Sequence, residues 1–228
     1  MSESPRSPRL LKGALALYDM DSTTSQGALV IFQYNPEQVR RTLANRTQQQ
    51  GAGTGANQGA REDVLRVAGP PVETISLGIV LNAADQLAAP EENETVAERG
   101  LYPALAAMEM AMYPPAMMAE KLEDLAASGE VTVQPANVPL TMLVWGESRV
   151  APVAITSFSI TEEAFDPRLN PIRAKVDLGL KVLTSLEFPN SSVGRDAYIA
   201  YQKSKEQLAK QFSNRSDDTQ IRKFLQAT

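Results

Sequence analysis

Residues 170–184 read NPIRAKVDLGLKVLT. Ile172, Ala174, Val176, Leu178, Leu180 and Val182 fall on even positions, with Arg173, Lys175, Asp177 and Lys181 between them. This period of two specifies a β-strand with one dry and one charged face. At ~3.3 Å per residue the strand reaches roughly 36 Å, longer than most, which suggests a hairpin arm or a barrel wall. Such alternation belongs to an antiparallel sheet packed on one side, because buried parallel strands read as continuous apolar runs. The charged side must meet water or a polar partner.

Working outward, the preceding EAFDPRLNP (163–171) carries Asp-Pro and Asn-Pro dipeptides, which initiate turns. Before it, residues 150–162 read as a second long strand. Val153 and Ile155 share one parity there and Phe158 and Ile160 the other, so a bulge is expected near Thr156. PLTMLVWG (139–146) is apolar on both faces and reads as a central strand covered on each side, with the single tryptophan, Trp145, filling the core. Residues 72–81 alternate again, with Ile75, Leu77, Ile79 and Leu81 on one face.

Nearer the N-terminus, residues 11–18 and 28–34 form a first hairpin, closed by Asn35-Pro36, and Val39 and Leu43 mark another strand. The run QQQGAGTGANQGA (48–60) reads as a surface loop. Its glycines lack the lysine-serine pair and the helix start of a phosphate cradle. After an acidic linker (88–98) the period switches from 2 to 3.6, with Leu101, Leu105, Met108 and Met112 at helical spacing up to Pro114-Pro115. Met117, Met118, Leu122 and Leu125 suggest further helical turns up to Gly129, and these methionines read as core packing. Beyond Pro189 the chain is polar. Tyr198, Tyr201, Leu208 and Phe212 form a helical stripe, and Ile221, Phe224 and Leu225 a last short amphipathic segment that needs a docking surface, so the extension from about Val193 is expected to pack on the domain or on another subunit. The expected division is therefore a polar, disordered tail (1–9), a β domain (10–189) and a helical extension (190–228). The fold class is mainly β with flanking helices (α+β), an antiparallel sandwich or barrel.

Composition narrows the function. The 228 residues include no cysteine and no histidine, which removes disulfides, thiolate chemistry, the commonest metal ligand and every Ser-His or Cys-His arrangement. The net charge of −5 is spread along the chain and gives no footprint for nucleic acid or for a membrane surface. No apolar run is long enough to span a bilayer. Glu162-Glu163 and Glu91-Glu92 are neighbours on a strand and in a linker, so neither has the geometry of an acid/base pair. No catalytic, cofactor or metal site is expected, and no enzyme.

The combination of IFQYNPEQV, ETISLGIVL, GLYPALAAMEMAMYP, PLTMLVWG and SFSITEEAFDPRLNPIRAKVDLGLKVL resembles the tube-domain family of contractile injection systems, which are phage-tail-like particles. The resemblance covers about 10–186. Its most specific pieces are Phe32, Asn35 and Pro36, then Trp145 and Gly146, then Ala164, Phe165, Asp166 and the run from Leu169 to Ala174. Within the family it is similar to baseplate adaptor, or tube-initiator, proteins. The resemblance implies a tail-tube type β fold in a hexameric ring around a lumen, joining the inner tube to the spike and baseplate hub. Its partners would be tube, spike and wedge proteins. Assembly would take place in the cytoplasm, with release in the particle. Where some such adaptors carry a LysM-like module, this sequence has the polar stretch after Pro189, expected to grip a wedge, sheath or spike protein.

The candidate subunit or partner interface is Arg173, Lys175, Asp177 and Lys181 on the odd face of the opening strand, with Tyr198, Tyr201, Phe212 and Phe224 on the extension. Two other readings stay open: another tube-layer or cap subunit of the same particle, and a monomeric β-barrel that binds a small ligand.

Overall fold

The computed structural model describes residues 12–18, 26–32, 35–46, 69–114, 116–117, 138–189 and 192–213. Its largest feature is a hairpin of β6 (Val150–Phe165) and β7 (Pro171–Val182). The even residues of β7 do turn inward: Ala174, Val176 and Leu180 are fully buried, whereas Arg173, Lys175 and Asp177 on the odd face are exposed. Pairing aligns apolar rows across the sheet. Leu178 lies between Phe158 of β6 and Leu77 of β4 (Val72–Asn82), and Val176 between Ile160 and Ile79. Such same-face neighbours are the stabilising unit of a sheet.

The parity change in β6 is a bulge where the sequence predicts one. Ile155 pairs with Leu180 and Ser157 with Gly179, so Thr156 is the extra residue. The insertion keeps Val153 and Ile155 on the same side as Phe158 and Ile160, over the even face of β7.

β5 (Leu140–Val144) pairs with both β1 (Ala14–Tyr18) and β6. Its two faces are dry, as PLTMLVWG implies. Leu143 joins the main core with Leu15 and Ala151, while Leu140 and Met142 form a smaller cluster with Ala16, covered by Leu183, Phe188 and Ala197. Adding β2 (Gln26–Ile31) and β3 (Val39–Ala44) completes one antiparallel seven-stranded sheet in the order β2-β1-β5-β6-β7-β4-β3. The fold is thus mainly β with flanking helices. Among the described residues no ladder joins β2 to β3, so the sheet keeps two different edges. Phe32, Leu15, Ile75, Ile79 and Leu143 fill its interior.

Between β4 and β5 lie α1 (Ala84–Leu87), α2 (Glu94–Arg99) and α3 (Tyr102–Glu109). α2 falls in the stretch read as a linker and α1 just before it; each is too short to show an apolar period and sets a single half-buried side chain, Leu87 or Val96, against the core. α3 lays Leu105 and Met108 into the core beside Leu101. It stops at Glu109, short of the expected boundary. Met112 therefore lies in a turn and is exposed, as are Met110 and Met117, so among these methionines only Met108 packs in the core. The remaining turns expected up to Gly129, like the loop at 48–60, fall outside the described residues. Gly100 adopts a positive φ of 56° where the chain reverses against β7. A Cβ there would come within 2.5 Å of the Pro171 carbonyl oxygen, which accepts the Leu101 amide at 2.9 Å. At the other end of the core, Trp145 meets Phe32 with ring centroids 6.4 Å apart, over Gly13. The C-terminal helix is α4 (Val193–Ser213).

Candidate assembly surfaces

The outer face of β7 gathers the charged residues read from the sequence. Lys175 Nζ lies 2.7 Å and Arg173 Nε 3.4 Å from the Glu163 carboxylate of β6. The Lys175 hydrogen bond holds Glu163 below the usual carboxylate range. Lys181 reaches Glu187 at 3.5 Å. Asp177 borders a shallow depression of about 450 Å³ with Arg40, Ser76, Ser157, Ser159 and Gly179. Glu163 escaped the sequence reading as a functional partner, since only the register of the hairpin brings it opposite Arg173.

The turn that aims the hairpin is tightly determined. Asp166 accepts the amides of Arg168 and Asn170 at 2.8 Å and the Asn170 side-chain amide at 2.9 Å. The latter also donates to the Glu98 carbonyl at 2.9 Å. These bonds, with that of the Asn170 side chain foremost, lower the Asp166 pKa. Ala164 and Leu169 are held at φ of 51° and 65°, a region that non-glycine residues occupy at a cost of ~1–3 kcal/mol and keep only where the surroundings impose it. Phe165 and Leu169 are exposed on this tip.

α4 belongs half to the domain and half to its surroundings. Tyr198 and Tyr201 were candidates for an interface with another chain, but they are buried against this chain's own core, because the stripe they form continues the dry face of the sheet. Farther along the same stripe Leu208 is half exposed and Phe212 is 77% exposed. Phe224 lies outside the described residues.

The seat of α4 is centred on Glu73, which the sequence reading missed. Glu73 sits on the inward parity of β4 with Ile75 and Leu77, and is 3% exposed. Its carboxylate accepts from Arg41 Nε of β3 at 2.8 Å, from the Tyr201 hydroxyl at 3.0 Å and from Lys205 Nζ at 2.6 Å. Arg41 Nη2 also donates to the Tyr201 hydroxyl at 3.3 Å, and the Lys205 ammonium lies 4.0 Å from the centroid of the Tyr201 ring. Burial alone would raise the Glu73 pKa, but the bonds from Lys205, Arg41 and Tyr201 outweigh it and the value is lowered. The Tyr201 hydroxyl is pushed up to about 12 by burial and by Glu73. The one signal in the sequence was a carboxylate at an apolar parity position.

A second carboxylate, Glu187, ties down the segment leading to α4. It accepts the Thr184 amide at 2.8 Å, the Thr184 hydroxyl, and Arg46 Nη2 at 2.7 Å. Against the cost of burial, these donors hold its pKa at about 2.

The two sheet edges differ in character. β2 exposes Leu29 and Ile31, whereas β3 exposes all but Val39 and Arg41, which are half buried. Each presents a row of backbone groups with no strand beside it among the described residues. Also among those residues, no cluster of acidic groups is placed to hold a metal ion, and no helix is long and apolar enough to cross a membrane.

Comparison with curated proteins finds no match. A family profile described as the contractile injection system tube protein matches residues 10–188, most of the chain and all seven strands, and the chain belongs to that family of structural tube components.

Proposed function

We propose that the chain is a ring-forming structural subunit that joins the inner tube of a contractile injection system to its spike and baseplate hub. The observation that carries the ring is the sheet with two unlike edges, β2 and β3, at opposite ends of the strand order. An edge strand seeks a partner. When the two edges of one subunit differ, their pairing is heterologous and closes into a ring if the rotation allows. A hexamer is the closure the family resemblance implies. The outer face of β7, with Arg173, Lys175, Asp177 and Lys181, then meets the lumen or the next subunit. The exposed end of α4, with Phe212, meets a tube, spike or wedge protein. Assembly in the cytoplasm and release with the particle complete the reading.

The test is copy number. The chain is purified with its particle and its spike and tube partners, then examined by electron microscopy and quantitative mass spectrometry. One ring per particle at the tube end is expected. Absence of rings in such preparations sinks the proposal. The family match over 10–188 equally supports an ordinary tube layer or cap, and many copies per particle would select a tube layer.

A further inference from the structure

Among the described residues β3 is the least anchored strand of the sheet: it pairs with β4 alone, and only Val39 and Arg41 are half buried. Its side-chain hold therefore rests on Val39, which packs on the core, and on Arg41, which reaches Glu73. Glu73 is in turn enclosed from the α4 side by Tyr201, itself 4% exposed, and by Lys205.

We propose that α4 is a strap that sets the firmness of the β3 edge. Docked, it keeps water from the Glu73 side of the Arg41–Glu73 pair and adds the Tyr201 hydroxyl as a bridge between the two. Undocked, it leaves an ordinary surface pair and a loosened strand. The mechanism is dielectric. Two opposite charges in contact attract several-fold more strongly where protein replaces water around them, whereas exposed pairs contribute little. Because the Tyr201 hydroxyl accepts from Arg41 and donates to Glu73, one bonded network includes the edge strand, its neighbour and the helix. Coupling of this kind is reciprocal: what loosens β3 must loosen α4. Its consequence for assembly rests on the ring reading above, in which β3 is a lateral edge; the coupling itself does not.

The test is hydrogen–deuterium exchange on the full chain. The double variant Tyr201→Ala with Lys205→Ala keeps Arg41 and Glu73 but removes both α4 donors and the ring that shields the pair. Amides of the β3–β4 ladder should exchange at least ~10-fold faster than in the wild type, with those of the β6–β7 ladder unchanged. Arg41→Met, which leaves the α4 donors intact, should speed exchange in α4 between 198 and 205. The strap is refuted if α4 exchanges faster while β3 keeps its wild-type rate, if neither element changes, or if every ladder accelerates alike. Ring counts on the same samples separate the two ideas. Fast β3 exchange with normal rings upholds the strap and removes β3 from the ring interface.

Discussion

Glu73 and Glu163 are built from the same chemistry on opposite faces of one sheet. Each carboxylate pairs with two cations, Arg41 and Lys205 in one case, Arg173 and Lys175 in the other. The Glu73 side chain is 4% exposed and the Glu163 side chain 30%. An ion pair out of water is a commitment, because removing either partner strands a desolvated charge. One in water mostly fixes where charge is displayed. The inner cluster therefore holds α4 to the domain, and the outer one arranges a surface.

The largest expected effect follows directly. Glu73→Ala leaves Arg41, Lys205 and the Tyr201 hydroxyl without their acceptor. The fully buried case costs ~3–5 kcal/mol; since the Arg41 and Lys205 side chains are 29% and 34% exposed, about 2–3 kcal/mol is expected. Urea unfolding followed by circular dichroism measures it, and a loss below about 1 kcal/mol would erase the contrast with Glu163.

Acid sharpens the same comparison. Glu73 and Glu187 both have folded pKa values below their ordinary ones, Glu187 at about 2. A depressed carboxylate contributes stability that is complete above its unfolded value, near 4.5, and is lost as pH falls through the folded value. Stability should hold from pH 7 to about 5 and decline from there toward pH 2. Glu187→Gln should flatten that decline by about 1 kcal/mol after solvent screening, and Glu163→Gln, whose lowered pKa arises at the exposed cluster, should change the curve far less. Thermal melts at successive pH values read this out.

The same contrast explains what the sequence could tell. β7 and β4 were legible because a single period of two sorts their residues, and the bulge at Thr156 because it breaks that period. Local signals sufficed for both. α1 and α2 are short and set only Leu87 and Val96, half buried, against the core, so they left no apolar period, and Met112 continued a helical spacing that the backbone abandons at Glu109. The candidates on β7 were found as a charged face, but their partner Glu163 came only from the register. The Glu73 cluster assembles residues 41, 73, 201 and 205, and only the docking of α4 on the core brings them together. For the same reason the stripe from Tyr198 to Phe212 was visible as amphipathic, while the part of it spent on this chain's own core was not.

The smallest effect on stability should accompany the most informative effect on assembly. Lys175→Glu sets a second carboxylate where an ammonium lay 2.7 Å from Glu163, with Arg173 still beside it. Both side chains reach water, so they can separate, and the unfolding midpoint should match that of the wild type within error. Asp177→Lys, at the rim of the outer depression, should do the same. Ring formation or tube docking is a different matter, because a reversed charge brought against a fixed partner surface cannot turn away, and like charges across an interface are costly. Both variants should lower the yield of rings, most at low salt and less as added salt screens the repulsion. Equal yields at low salt would make the odd face of β7 a solvated surface and shift the search to the sheet edges and the exposed end of α4.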